Sequence, residues 1–464
     1  MARFRKLTRA TLLALLGTGW AQAAAAGPCS PEAPATGSLF VAPSGRDDAT
    51  GSFLAPFATL ARAQRVMAAS GIRSTYVRGG RYALAAPLTL TAADTGSGFL
   101  ACPGETVVLD GAGRLATLVA LDQASQVTLS GLTLRRSLGP ALTLTRASGN
   151  LIQDNRLNDN AAGILLTGAG NNTISGNRIV TTATSAIEAK DGSDGNLLER
   201  NWISGTGAIG TSGGGFFLHG ASNNRIAGNT VENTAGMGIG IENWDDYTIN
   251  IGNQILGNVV RNANTDARSN DSGAIYMLGR SQRDTQAVIA GNVVNGTGRG
   301  PDEGAHTIGI YLDDLTSGVL VQNNIVRRIG THGAQLHGGR QITVRNNIFH
   351  LGPGRASAIL FQAAPADTHP SIAMTDNLVT RNIVYSESST PVSYDWIAGG
   401  DPVIIGNLYH NVTGAAMTTQ PPAFDRGPMF GDPRFADPAH GNYRLLPGSA
   451  AALIGFEPIT RPTP

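Results

Sequence analysis

The run GIYLDDLTSG, residues 309 to 318, ends an alternating apolar stretch with two adjacent carboxylates, Asp313 and Asp314. Aspartate favours turns, so a solvated turn is one account of the pair. Glycoside hydrolysis is another, because it needs one protonated and one ionised carboxyl flanking the scissile bond. That second account requires partners. Runs of the same kind recur as GILLTG (163 to 168), AIEAKD (186 to 191), GFFLHG (215 to 220), GIGIEN (238 to 243), AIYMLG (274 to 279), GAQLHG (333 to 338) and AILFQA (358 to 363). Aligned on Asp313, they give a column of Thr167, Lys190, His219, Glu242, Leu278, Asp313, His337 and Gln362. Period-two alternation sends Ile310 and Leu312 inward and Tyr311 and Asp313 outward.

If neighbouring runs stack as strands about 4.8 Å apart, Glu242 and Asp313 lie two rungs, or about 9.6 Å, from each other. Carboxyl separations of about 6.5 to 9.5 Å suit inverting hydrolysis. Asp271, in NDSG just ahead of the neighbouring strand, is a rival partner. His337, one rung from Asp313, suits a proton shuttle or an orienting group; a surface histidine stabilising its turn is the plainer account. His219 is a candidate substrate contact, and His306 lies in a long loop. Tyr276 and Tyr311, in adjacent runs, offer aromatic faces on which the C–H faces of a sugar would pack, and NWDDYT adds Trp244. Arg280 and Arg340 follow their strands in matching turns, where they are either solvated or available to an acidic sugar. Lys190, the sole lysine after Lys6, is four runs from Asp313, too far to act on the same bond. Asp245 and Asp246 add hard oxygen donors, so Ca²⁺ is an option, although no regular calcium-loop spacing is present. No cofactor is required.

The elements that must hold these residues are written in the asparagines. An apolar residue, a few small or polar ones, Asn and another apolar residue recur at Asn155, Asn177, Asn201, Asn229, Asn258, Asn292, Asn324, Asn347, Asn382 and Asn407, spaced 22 to 35 residues apart. No 3.6-residue apolar period persists across a repeat, which excludes helical repeats. A period in the low twenties with variable excess predicts one coil of a parallel β-helix plus turn insertions, with the asparagines hydrogen-bonding to their own kind one rung away. The largest excesses, between Asn229 and Asn324, predict loops walling a groove over the ionisable column.

Length and composition agree with an elongated repeat. The chain has 464 residues, 60 of them glycine, with 6% aromatic and 14% charged residues. A formal net charge of +1 gives no electrostatic footprint for nucleic acid or an anionic membrane. Residues 1–26 read as a secretory signal peptide, basic, then apolar, then small, cut between Ala23 and Ala26. Export to an oxidising compartment, secreted or periplasmic, then predicts one disulfide between Cys29 and Cys102.

LFVAPSGRDDATGSFLAPFATLARAQRVM, YVRGGRYALAAPLTL and CPGETVVLDGAG resemble the opening of secreted bacterial right-handed parallel β-helix carbohydrate-active enzymes. DPRFADPAHGNYRLLPGSAALIGFEPI looks like their ending, and SGAIYMLGR, GIYLDDLTSG and HGGRQITVRNNIF are similar to central coils of β-helix glycoside hydrolases. The resemblance spans about residues 37 to 458. It implies an all-β, right-handed parallel β-helix of ten or more coils behind an N-terminal cap: 27–110 for the cap and first strands, 111–464 for the β-helix and its closing segment. It also implies a polysaccharide or oligosaccharide substrate. Because one scaffold carries several chemistries, three readings stand. The first is a glycoside hydrolase built on Glu242 and Asp313. The second is a lyase for a uronate glycan with His337, Tyr311 or Lys190 as base and Arg280 or Arg340 on the carboxylate. The third is a non-catalytic carbohydrate-binding or surface protein. An Asp-Pro-His-Asp run, the mark of the related epimerases, is absent.

Overall fold

The computed structural model describes residues 27–460 apart from 33, 208–212, 246, 267, 269, 282, 299–305, 355, 365–372, 399, 401 and 420–424. The expected signal peptide, Asp246 and much of the loop before His306 lie outside the described residues. Three long parallel sheets of 15, 13 and 14 strands run the length of the molecule, and each coil contributes one strand to each sheet in turn. The chain is a parallel β-helix. Among the described residues no helix is long and apolar enough to cross a membrane.

Alternation explains the interior. Ile275, Ile310 and Ala334 pair rung upon rung, as do Met277, Leu312 and Leu336, and all six are buried in one continuous core. Each such aliphatic side chain removed from water contributes about 1.5–3 kcal/mol. The asparagine ladder is unbroken from Asn155 to Asn407, with amide-to-amide contacts of 2.9–3.1 Å at every step. Asn177 shows why asparagine fits. Its Oδ1 accepts from the backbone N–H and the amide of Asn155, while its Nδ2 donates to Ile152 O and Asn201 Oδ1. All four hydrogen-bonding positions of the amide are used, which aspartate, lacking donors, cannot match. A second ladder, Asn150, Asn172, Asn196, Asn224 and Asn253, runs along another corner.

The first coil is covered by a helix, Leu60–Ser70. Thr59 caps its start by accepting from Arg62 N–H, Gly71 ends it at φ 76°, and Leu60, Ala63 and Met67 form the face turned to the core. Cys29 and Cys102 are joined in a disulfide. At the other end, the chain leaves the solenoid and folds back on the outer face of the 14-stranded sheet. There Phe435, Tyr443, Ile454 and Phe456 pack against Ile325, Ile348, Ile383 and Leu408.

Candidate active site

The 13-stranded sheet carries the ionisable column. Strands Ile187–Lys190, Phe216–His219 and Ile239–Glu242 pair Lys190 with His219 and His219 with Glu242. Asp271–Leu278 and His306–Asp313 pair Leu278 with Asp313. His332–His337 pairs His337 with Gln362 in the next strand. The alignment drawn from sequence therefore has the right register at each of these rungs, and Glu242 and Asp313 are two rungs apart.

Asp313 does point away from the apolar interior, but it is not solvated: only 6% of it is exposed. Its Oδ1 accepts from His337 Nδ1 at 2.6 Å and from Asp314 N–H at 2.8 Å, and its Oδ2 accepts from the Tyr276 hydroxyl at 2.6 Å. The tyrosines correct the sequence reading. Tyr276 and Tyr311 are 5% and 2% exposed and meet edge to face at 5.2 Å, so their rings offer no sugar platform. Their hydroxyls act as polar tips turned toward the carboxylates. Met237, Leu278 and Ile308 pack around them.

Behind Asp313 the backbone turns through two consecutive left-handed non-glycine residues, Asp314 at φ 33° and Leu315 at φ 67°. Such conformations cost about 1–3 kcal/mol each and persist only where the surroundings impose them. Here Leu315 N–H bonds to His337 O, and Thr316 Oγ1 donates to the carbonyls of Asp313 and Met277. Asp314 Oδ2 accepts from Arg280 Nε at 2.8 Å and Nη2 at 2.5 Å. The Arg280 guanidinium lies 4.7 Å over the Trp244 ring, and Trp244 Nε1 donates to Glu242 Oε2 at 2.5 Å. Asp314, Arg280, Trp244 and Glu242 thus form one chain of contacts linking the carboxylates of separate coils. Trp244 is 52% exposed, so part of its ring is open to solvent.

The second candidate partner comes in from another direction. A Cβ at Gly273 would stand 2.9 Å from Tyr311 Cβ, so the segment carrying Asp271 passes this close to Tyr311 because residue 273 is glycine. The Tyr311 hydroxyl interacts with both Asp271 and Asp313.

These neighbours drive the carboxyls apart. Burial pushes Asp313 up, but hydrogen bonds from His337 and Tyr276 outweigh it and hold Asp313 below the ordinary aspartate value. Burial raises Glu242 above its ordinary value, with the Trp244 hydrogen bond opposing and the charge of Asp313 reinforcing. Asp271 is raised by desolvation of its carboxyl and by the Asp313 charge. Because Asp271 is an exposed residue, the upward shift of Glu242, 3% exposed, is the firmer of the two. Burial lowers His337, yet the hydrogen bond and charge of Asp313 leave it raised overall. The opposite nitrogen, His337 Nε2, is buried without a hydrogen-bond partner.

The remaining sequence candidates scatter. Arg280 is spent on Asp314, and Arg340 pairs with Asp284 at 3.4 Å. Lys190, four rungs away, faces Glu188 at 3.8 Å. His219 Nδ1 contacts the Glu242 carbonyl at 3.2 Å. Sequence reasoning gave no role to Gln335, whose place beside Tyr311 was the available signal. Its Oε1 meets His306 Nε2 at 2.6 Å, and its Nε2 donates to Gln362 Oε1 at 3.0 Å. Asp313, Asp314 and His337 bring one ligand atom each within 4.8 Å of one another. His337 Nδ1 already engages Asp313 at 2.6 Å, and Arg280 already neutralises Asp314. This donor set does not match Ca²⁺, which takes six to eight oxygens.

The family model described as "Right handed beta helix region" matches residues 114–260, and the fold is a right-handed parallel β-helix. No curated protein sequence matches the chain. Among solved structures it is similar to XylC bound to xylose, at 12% identity and TM-score 0.51, covering 86% of this chain and 87% of that one. It is similar to PfbA, a surface adhesin of Streptococcus pneumoniae, at 12% identity and TM-score 0.50, covering 74% and 90%. The catalytic domain of a GH87 alpha-1,3-glucanase with nigerose aligns at 12% identity and TM-score 0.47, over 84% and 66%. At these identities the likeness is one of fold.

Proposed function

We propose that this chain is an exported carbohydrate-active enzyme and that it hydrolyses a glycosidic bond at the Asp313 cluster. One observation carries the reading: in a single buried cluster Asp313 is held ionised while Glu242 is pushed toward its protonated form. Pairs of carboxyls driven apart in this way divide the roles of base and acid. Glu242 gives its proton to the leaving oxygen; Asp313 takes a proton from the attacking water, whose hydroxyl joins the anomeric carbon. His337 and Tyr276 hold Asp313 in its charged state and orientation. The two-rung spacing of Glu242 and Asp313 favours inversion. Asp271 is the alternative acid, and its closeness to the same tyrosine would favour retention.

A lyase is the second reading, supported by the unpartnered Nε2 of His337, which Asp313 orients as a base would be oriented. Against it, both arginines suggested for a uronate carboxylate are already paired. Incubation with a panel of plant, algal and bacterial glycans separates the readings. Saturated reducing ends are expected; unsaturated, ultraviolet-absorbing products would replace hydrolase with lyase, and binding without products would leave a carbohydrate-binding protein.

A further inference from the structure

Resting on the hydrolase reading, we propose that this site selects uncharged glycans and rejects uronates and other acidic sugars. Around the reacting position stand four carboxyls, Glu242, Asp271, Asp313 and Asp314. Among the described residues the cations facing them are Arg280 and His337, with His219 beside Glu242 and His306 beyond Tyr311. Arg280 is consumed by Asp314 and by the Trp244 ring, and His337 by Asp313. His219 Nδ1 is turned to a backbone carbonyl and His306 Nε2 to the Gln335 amide. Each of these groups already has a partner in the protein, and the nitrogen that has none, His337 Nε2, is buried.

The path along the sheet carries the same message. Toward the C-terminal coils the outward positions after Tyr311 are Gln335 and Leu360, and after His337 comes Gln362. Gln335 is buried, with its amide bonded to His306 and Gln362; Gln362, half-buried, carries the uncharged amide that can meet a sugar hydroxyl. The next strand brings another acid, Asp395, paired with Leu360 and raised by its own burial. Toward the N-terminal coils the first ammonium is Lys190, four rungs away and facing Glu188. An incoming uronate would be brought beside the ionised Asp313 with no unspent cation to pair it, and like charges brought together inside a shielded site are strongly disfavoured. Neutral hydroxyls meet the Gln362 amide and the exposed Trp244.

The test uses one neutral polysaccharide that the full-length protein cleaves, and the same polymer oxidised at C6 to its uronate, so that charge alone changes. Oxidation should lower kcat/KM by about 100-fold or more, the scale expected of a like-charge clash, and the gap should narrow as salt rises from 0.05 to 0.5 M, both roughly chosen to span strong and weak screening. Equal or faster cleavage of the oxidised polymer with saturated products would overturn the selectivity and leave the hydrolase intact. Unsaturated products would overturn both. Calorimetric binding of neutral and uronate oligosaccharides to Glu242→Gln gives a readout independent of turnover: tighter binding of the uronate would overturn the inference, and tighter binding of the neutral sugar supports it.

Discussion

The asparagine ladder and the carboxylate column are built by the same device, one position repeated rung after rung, with opposite results. In the ladder every rung carries the same side chain, and each amide satisfies the next. In the column the rungs differ: Glu242, Leu278, Asp313 and His337 each sit among unlike neighbours, so burial raises one carboxyl while hydrogen bonds lower another. Repetition of identical residues gives rigidity; repetition of the position with different residues gives a varied set of ionisable groups held on a rigid frame.

The strongest way to break this contrast is Asp313→Asn. Turnover should fall about 10²- to 10⁴-fold, the scale of losing a general acid or base. Because Asp313 is buried and accepts from three donors, the variant should also lose about 1–3 kcal/mol of stability, measurable by urea denaturation. An unchanged rate would move the chemistry off this column. Asn177→Ala tests the other region. It strands the Asn155 N–H and the Ile152 carbonyl, and should cost about 3 kcal/mol while leaving kcat of the folded fraction unaltered. A rate loss comparable with that of Asp313→Asn would erase the distinction.

Tyr276→Phe sharpens it. Removing one hydrogen bond to the charged carboxylate should cost about tenfold in kcat/KM and move the acid limb of the pH profile upward, since Asp313 loses a donor that holds it down. The pair of Asp313 and His337 also sets a stability window. Asp313 is depressed, so its contribution is present above its ordinary 3.8 and is lost as pH falls through the folded value. His337 is raised, so its contribution is complete below its ordinary 6.5 and is lost as pH rises through the folded value. Melting temperature should decline on both sides of that interval, and Asp313→Asn should flatten both declines. Glu242, raised by burial, acts in the same sense as His337, with its contribution complete below its ordinary 4.5 and lost as pH rises through the folded value. The smallest effect belongs to Asp122, which occupies the same column near the N-terminal end, paired with Thr145, but is half exposed beside Arg146. Asp122→Asn should change stability by no more than about 0.5 kcal/mol and leave the rate as it was.

The frame was legible because a repeat announces itself. All ten asparagines read from the sequence stand in one ladder, and the column kept its register because side-chain alternation allows no one-residue slip. The second ladder was missed although Asn150, Asn172 and Asn196 stand five residues ahead of Asn155, Asn177 and Asn201 in the same phrase. Burial was not legible. Alternation says which face a residue takes, but not what later covers that face, so Tyr276 and Tyr311 read as open platforms although Met237, Leu278 and Ile308 enclose them. Nor does strand spacing carry a side chain around a turn. The contact from Trp244 to Glu242 and the approach of Asp271 to Tyr311 depend on loop conformations that sequence periodicity does not encode.

Whether unlike neighbours split the carboxyls is measurable without any substrate. In protein labelled with ¹³C at aspartate and glutamate carboxyls, the resonances of Asp313 and Glu242 can be assigned by their loss in Asp313→Asn and Glu242→Gln and followed through a pH titration. Asp313 should titrate below its ordinary 3.8 and Glu242 above its ordinary 4.5. Coincident titrations, or Glu242 titrating below Asp313, would contradict the division of base and acid between them.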